Sequence, residues 1–309
     1  MEEAGGAAGA VRAVSRRLVR PSIGDAPPPE DIHLTPWDLR LISVDYIQKG
    51  LLLPAPPAGG DRLVGTLASS LARALGRYYH LAGRLAVEER GDGTVDVRLR
   101  CTGEGAELVH ATAPGVAVAD IAGSVYTPSS VVRALFPLNG VLGADAAVDS
   151  LPVLSAQVTE LADGVFVGVS LNHSVGDGFV FWEFLNAWSE INRGGGATSD
   201  LRAISARVHR REPQLRYFGS LMSGGAALMT GSSPRFDVFG NDFGWGKPAA
   251  VRSGREGKID GKATVYEGPD RGGSMSLEVC IAPDAMERLV ADEEFMDAVT
   301  MLPAQHQHG

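Results

Sequence analysis

The chain has 309 residues, and 44% of them are hydrophobic, which argues against wholesale disorder and allows a sizeable buried core. The 28 basic and 37 acidic residues give a net charge of −9, so binding to nucleic acid, which needs a basic face, is not expected. Two cysteines form no disulfide framework, and neither a signal-peptide pattern nor a membrane-spanning apolar run is present, so we expect a cytoplasmic protein without a membrane partner.

The first elements along the chain are a strand and two helices. Residues 11–21 mix Val and Arg, which predicts an edge strand. A helix is expected after Thr35, because Thr35 can cap it, Pro36 suits its first position and Asp38 can complete a capping box. Leucines at every fourth position predict a longer helix over residues 61–79.

Two hairpins and another helix follow in the N-terminal part. The first hairpin joins residues 84–89 to residues 94–101, and the second joins residues 151–161 to residues 165–171, each across a short polar turn. An apolar stripe predicts a helix from about residue 178 to residue 191. This succession predicts an α/β arrangement.

A glycine-rich stretch over residues 194–199 is predicted to be a linker. It divides the chain into an N-terminal domain, residues 1–195, and a shorter C-terminal domain, residues 196–309. Residues 200–231 lack the pattern of a compact domain.

The C-terminal part shows fewer elements. Residues 233–239 and residues 274–281 are predicted strands, the second because apolar residues alternate with polar ones. Pro283 is expected to start a final helix. Residues 252–273 are rich in Gly, Lys and Asp, which predicts an exposed loop.

The strongest candidate for chemistry lies between a strand and a helix. The apolar strand ends at Leu171, His173 stands just beyond it, and Asp177 and Gly178 precede the next helix. Catalytic groups gather at strand ends in α/β folds, because the loops there face a crevice while the sheet holds them rigid. A histidine in such a place is also often only a hydrogen-bonded core or rim residue, so this feature alone leaves a structural role open.

The same segment has some features of a metal site. His173 and Asp177 are four positions apart, as two ligands on one helical face would be. Gly176 and Gly178 argue against a regular helix there, and no third ligand is near in the sequence, so we expect no metal.

Two motifs carry a family resemblance. Residues 173–178 (HSVGDG) resemble the HxxxDG motif of the BAHD acyltransferases, and residues 242–248 (DFGWGKP) resemble the DFGWGKP motif of the same family without a mismatch. Peptide-synthetase condensation domains share the first motif but usually carry a doubled histidine, whereas here Asn172 precedes His173. Shorter similar segments are residues 19–22, 34–38 and 81–85.

The resemblance implies two similar α/β domains in a chloramphenicol-acetyltransferase-like fold, with a tunnel between them. Acyl-CoA would enter as a co-substrate, not as a permanently bound cofactor, and a small alcohol or amine would enter from the other mouth. His173 would deprotonate this acceptor as it attacks the thioester, a task suited to imidazole, whose ordinary pKa is near 6.5. We expect a monomer.

The other motif residues are expected to act on structure. By the resemblance, Asp177 would pair with an arginine and orient the loop, and Gly178 would let the chain turn into the helix without obstructing the site. The second motif would be a tight loop with aromatic anchors, and a contribution to CoA binding is its alternative role. Its members are Asp242, Phe243, Gly244, Trp245 and Gly246.

The chain departs from the family between the two motifs. Residues 178–241 are far fewer than the family has there, which predicts an internal deletion and an incomplete second domain. The sequence is therefore compatible with two functions, that of an acyl-CoA-dependent acyltransferase and that of a catalytically inactive relative that binds small molecules or a partner protein. We expect the shortened chain to show little or no turnover and to be less stable than a full-length relative.

Overall fold

The computed structural model describes residues 11–22, 30–122, 129–195, 228–233, 236–255, 260–270 and 273–299. The strands in these ranges are β1 (Arg12–Val19), β2 (Glu30–His33), β3 (Ile47–Pro54), β4 (Arg84–Glu89), β5 (Val95–Cys101), β6 (Ala106–Ala113), β7 (Leu154–Leu161), β8 (Gly164–Leu171), β9 (Met229–Ser233), β10 (Ala250–Ser253), β11 (Lys262–Glu267) and β12 (Met275–Cys280). The helices are α1 (Pro36–Arg40), α2 (Gly60–Arg77), α3 (Val118–Ala122), α4 (Ser129–Ala134), α5 (Gly143–Val148), α6 (Gly178–Asn192), α7 (Pro283–Ala291) and α8 (Glu293–Asp297).

A six-stranded sheet forms the centre of the described structure, in the order β1-β6-β7-β8-β3-β10. β6 and β7 are parallel, and the other neighbours are antiparallel. Side chains alternate between the two faces along each strand. Leu51 and Leu53 of β3 accordingly pack with α2 and α6, whereas Leu52 packs with α3 and α4 on the opposite face.

Two three-stranded sheets lie beside the central one. The first, in the order β2-β5-β4, is antiparallel throughout. The second, in the order β12-β11-β9, pairs β11 with β9 in parallel and with β12 antiparallel. It is joined to the main core by Tyr266 of β11, which is buried and packs edge-on against Trp182 of α6 at 6.4 Å between ring centroids.

Most predictions for the N-terminal part are confirmed. β1 is an edge strand, α2 and α6 occupy the predicted positions, and both predicted hairpins form. α1 begins after Thr35 with a complete capping box, in which the Thr35 amide donates to the Asp38 carboxylate at 2.8 Å. Strands β2, β3 and β6 and the short helices α3, α4 and α5 were not predicted. The polar residues Gln48 and Lys49 interrupt the apolar pattern of β3. Their side chains are nevertheless buried, because they hydrogen-bond to Pro137 and Ser253, which are far away in the sequence.

The strand predicted over residues 233–239 is wrong. Strand β9 ends at Ser233, and Phe236 to Phe239 form a turn instead. The apolar side chains of Val238 and Phe239 are buried in the core that contains α6, although they belong to no strand. The side-chain nitrogen of Asn241 donates to the carbonyls of Asp237 and Val238, so these carbonyls take part in a turn and not in a strand ladder.

The exposed loop predicted over residues 252–273 is also wrong, because β10 ends and β11 lies within it. The glycines and charges of this stretch are concentrated at the strand ends, whereas Ala263, Thr264 and Tyr266 are buried. The strand predicted over residues 274–281 is confirmed as β12, and the helix from Pro283 as α7.

The predicted division between residues 195 and 196 stays a prediction. Most of the predicted linker, together with residues 200–227, lies outside the described residues. From the C-terminal part, β10 pairs with β3 and completes the central sheet.

Candidate active site

His173 occupies a tight turn between β8 and α6. The turn begins at Asn172, whose carbonyl accepts a hydrogen bond from the Val175 amide at 3.0 Å, so His173 and Ser174 are its two central residues. The side chain of His173 is half-buried. Its Nδ1 atom is shielded from solvent and has no hydrogen-bond partner among the described residues. The predicted catalytic histidine therefore lies at a strand end, between a fully buried strand and the N-terminus of a helix.

Asn172 is the residue that sequence reasoning used only to choose between families. It is completely buried, and its side-chain oxygen accepts from both the amide (3.1 Å) and the hydroxyl (2.7 Å) of Ser174. Its side-chain nitrogen donates to the carbonyl of Gly143 at 3.2 Å. In the sequence, the one feature that could have indicated this role is its position, because asparagine favours turns and here it directly follows an apolar strand.

Asp177 holds the other end of the segment. It is the N-cap of α6, and its carboxylate accepts from the amides of Phe179 at 3.0 Å and Val180 at 3.1 Å. No arginine among the described residues pairs with it, in contrast to the expected ion pair. The carboxylate satisfies two amides that the helix leaves without intrahelical partners and lies at the positive end of the helix dipole.

Gly178 has a weaker steric role than expected. A side-chain Cβ atom at Gly178 would meet only the ring of Phe236, at 3.9 Å, which is an ordinary contact. At Gly176 the same atom would come within 2.9 Å of Val180 and 3.0 Å of Leu171. The close approach in this loop is therefore at Gly176, which sequence reasoning used only to argue against a helix.

The second motif forms a tight loop. The Asp242 carboxylate accepts from the amides of Gly244 (2.7 Å) and Gly246 (3.0 Å), and both glycines have positive φ values, 108° and 126°. Burial raises the pKa of Asp242, but the hydrogen bonds from the backbone and the charge of Arg193 together outweigh it, so the pKa lies below the ordinary value. Arg193 adds a distant ion pair at 4.0 Å.

The aromatic residues of the motif anchor it to the C-terminal end of α6. Phe243 is buried and packs edge-on against Trp188, with 5.2 Å between ring centroids, and its carbonyl accepts from the Asn192 side chain. Trp245 packs on Phe243 at 5.8 Å. His173 lies at the opposite end of α6, and a 15-residue helix is roughly 22 Å long. This separation supports a packing role for the motif.

Residues 236–246 therefore run alongside α6 from its first turn to its last. Phe236 packs against Phe179 at the start of the helix, and Asn241 accepts from Ser189 near its end. Phe236 and Asn241 were not singled out from the sequence, because nothing local distinguishes a loop that packs along a helix.

Other kinds of site have less support. In the described ranges, no three His, Cys, Asp or Glu side chains come together as a metal site would require. None of the helices in these ranges combines the length and apolarity needed to cross a bilayer. A groove of about 460 Å³ lies between α2 and α6, lined by residues that include Arg62, Arg73 and Asn192, and His173 is not among them.

The fold is similar to that of solved structures. The structure is similar to vinorine synthase with a TM-score of 0.63 and 17% identity, over 94% of this chain and 99% of that one. This likeness places the chain among α/β proteins of the chloramphenicol-acetyltransferase-like fold. A sequence model described as the Transferase family matches residues 10–216 and 198–296. The chain belongs to this family, the BAHD acyltransferases, and is thus a member of a transferase family of enzymes.

Two curated relatives refine the picture. An uncharacterized acetyltransferase from Arabidopsis thaliana is 27% identical over 439 aligned positions, which cover 92% of this chain and 98% of the relative. Because the whole chain has only 309 residues, a large part of that relative has no counterpart here. A hydroxycinnamoyl-CoA:5-hydroxyanthranilate N-hydroxycinnamoyltransferase from Avena sativa is 37% identical over 140 residues, 44% of this chain and 30% of that protein.

Proposed function

We propose that the chain transfers an acyl group from a CoA thioester to a hydroxyl or amine of a small acceptor, with His173 as the general base. The observation that carries the proposal is the placement of His173 in a hydrogen-bonded turn at a strand end, beside the capped N-terminus of α6. The relative from Avena sativa, whose name specifies a CoA thioester and transfer to nitrogen, supports the donor and one class of acceptor.

The geometry favours Nε2 as the nitrogen that accepts the proton, because Nδ1 is shielded from solvent. For Nε2 to accept, Nδ1 must carry the hydrogen of the neutral ring. The acceptor O–H or N–H gives its proton to Nε2 while its oxygen or nitrogen bonds to the thioester carbonyl carbon. The C–S bond then breaks, and the imidazolium returns the proton to the departing CoA sulfur. No group on the enzyme becomes acylated.

Asp177 acts on this chemistry through the backbone. Its carboxylate accepts hydrogen bonds from two backbone amides in the first turn of α6 and so fixes the C-terminal end of the His173 loop. We assign it a positioning role and no proton transfer. We further propose that the protein works as a monomer in the cytoplasm, on small molecules, with no permanently bound cofactor.

The direct test is His173→Ala, assayed by release of free CoA thiol from acetyl-CoA with a panel of alcohols and amines. Loss of a general base costs on the order of a hundredfold to ten-thousandfold in rate, so turnover should fall by that factor. Circular dichroism should show an unchanged fold. Near-normal turnover by the mutant would remove His173 from the mechanism.

A second function, binding without catalysis, is favoured by the small C-terminal sheet. Its edge strand β12 leaves Met275 and Leu277 70% and 55% exposed, and the alignment with the Arabidopsis acetyltransferase leaves much of that protein unmatched. If the missing part supplies one wall of the tunnel, the thioester is poorly positioned and turnover is very low. Calorimetric binding of acetyl-CoA without CoA release, at any acceptor tested, would select this second function.

A further inference from the structure

We propose that Asn172 is a positioning residue for His173. Its buried side-chain amide forms hydrogen bonds through both its oxygen and its nitrogen, and these hold the backbone of His173 in place. The idea rests on the proposed role of His173 as the base. Asn172 is completely buried, which for a polar side chain is tolerated only when its donors and acceptors are satisfied.

The oxygen end of the amide closes a ring around His173. Asn172 Oδ1 accepts from the Ser174 amide, two positions on, which is an Asx-turn with His173 at its centre. The Asn172 carbonyl also accepts from the Val175 amide, which closes a wider β-turn over the same residue. Both rings start at Asn172, so a single residue determines the backbone path through His173.

The nitrogen end and the main chain tie this turn to the rest of the fold. Asn172 Nδ2 donates to the carbonyl of Gly143, at the start of α5, and the Asn172 amide donates to the carbonyl of Val153 at 2.8 Å. The Gly143 amide in turn donates to the carbonyl of Val44 at 3.0 Å. The histidine turn is thereby connected by hydrogen bonds to the residues that directly precede β3 and β7 of the central sheet.

The space around Gly143 makes this contact specific. A Cβ atom at Gly143 would come within 2.8 Å of the Ile42 carbonyl and 3.2 Å of Asn172 Oδ1, so a residue with a side chain would push the amide away. At position 172 itself, aspartate lacks the donor that Gly143 requires and would bury a charge, and leucine lacks both donor and acceptor. Asparagine is the side chain of this size that supplies both.

The kinetic test compares Asn172→Ala with Asn172→Ser. Small misplacement of a reacting group costs up to about a hundredfold in rate, so Asn172→Ala should lower kcat by roughly tenfold to a hundredfold. KM for acyl-CoA should stay within about twofold, because the variant leaves the uniform binding of the donor intact. Asn172→Ser keeps a short acceptor for the turn and should recover part of kcat. A raised KM with unchanged kcat would overturn the proposal.

Asn241→Ala is the matched control. Asn241 is also completely buried and also holds a turn, but that turn lies at the DFGWG end of α6. Its loss should reduce the melting temperature about as much as the loss of Asn172, while kcat of the folded protein stays at the wild-type value. Equal losses of kcat in the two variants would show that Asn172 acts only on stability.

A second readout does not need turnover. In protein labelled with ¹⁵N-histidine, the His173 side-chain signals are assigned by their absence in His173→Gln. Asn172→Ala, or Asn172→Ser if the alanine variant does not fold, should shift or broaden these signals and leave those of His80 and His110 in place. If the wild-type chain has no activity, the proposed function fails but these spectra still decide the role of Asn172. Unchanged His173 signals in the variant would overturn that role.

Discussion

The region around β8 and α6 and the small sheet of β9, β11 and β12 differ in how their apolar residues are used. β8 is buried along its whole length, and α6 buries most of its side chains, including two tryptophans. In β12, Met275 and Leu277 are largely exposed, and none of the residues of α7 is buried. β8 is apolar along its length and is covered on both faces, whereas β12 alternates and, among the described residues, its apolar face is left largely exposed.

This difference matters for the proposed chemistry. The His173 turn belongs to the well-packed region and is held there by buried hydrogen bonds. The small sheet has less cover, and the alignment with the Arabidopsis relative leaves a large part of that protein without a counterpart in this chain. The histidine that we propose as the base is thus held by buried hydrogen bonds, whereas the exposed apolar residues lie in the small sheet.

The largest expected effect contrasts two leucines with the same substitution. Leu185→Ala in α6 removes a completely buried side chain and should lower the free energy of unfolding by about 2 to 5 kcal/mol. Leu277→Ala in β12 removes a side chain that is largely exposed, so the change should stay within about 0.5 kcal/mol. Urea denaturation of both variants measures the contrast. A cost above 2 kcal/mol for Leu277→Ala would show that β12 is covered in solution.

A pH-dependent effect is expected next, from His80 in the packed region. Burial lowers the pKa of His80 to about 4, whereas in the unfolded chain it is near 6.5. Between these values the unfolded chain binds the proton and the folded chain does not, so stability should fall as the pH is lowered from 6.5 towards 4. The full effect is on the order of 3 kcal/mol.

The measurement is the free energy of unfolding of the wild type and of His80→Gln across this pH range. The variant should lose most of the dependence, since glutamine does not titrate. His33→Gln, at an exposed position on β2, is the control and should keep the wild-type slope. Parallel slopes for wild type and His80→Gln would contradict the prediction.

The smallest expected effect concerns the cap of α6, where the packed region meets the site. Asp177→Ala removes the acceptor of two amides and should destabilise the protein by about 1 kcal/mol. Asp177→Asn keeps a good capping oxygen and loses only the charge at the helix dipole, so a cost of a few tenths of a kcal/mol is expected. Thermal melts of the pair measure this. A large loss of stability in Asp177→Asn would contradict this expectation and would support the ion pair with an arginine that the family resemblance implies.

Local patterns were sufficient for elements whose neighbours lie close in the sequence. The two hairpins, the capping box of α1 and the stripes of α2 and α6 depend on spacings of a few residues, and all of them were predicted. Strand β3 was missed because its polar residues are satisfied by partners about ninety or more positions away. Residues 233–239 were predicted as a strand because the apolar residues of a buried turn along a helix look the same in the sequence as those of a strand.

For the site, the sequence alone determined the family, the candidate base His173, the flanking Asp177 and the second motif, because each is a short run of contiguous residues. Only the tertiary structure decided what these residues contact. In the structure, Asp177 caps a helix, hydrogen bonds join Asn172 to Gly143 and Ser174, and the DFGWG motif lies at the far end of α6. The physical reason is that a hydrogen bond or a packing contact needs two groups at one place, and for these residues many of the second groups come from distant parts of the chain.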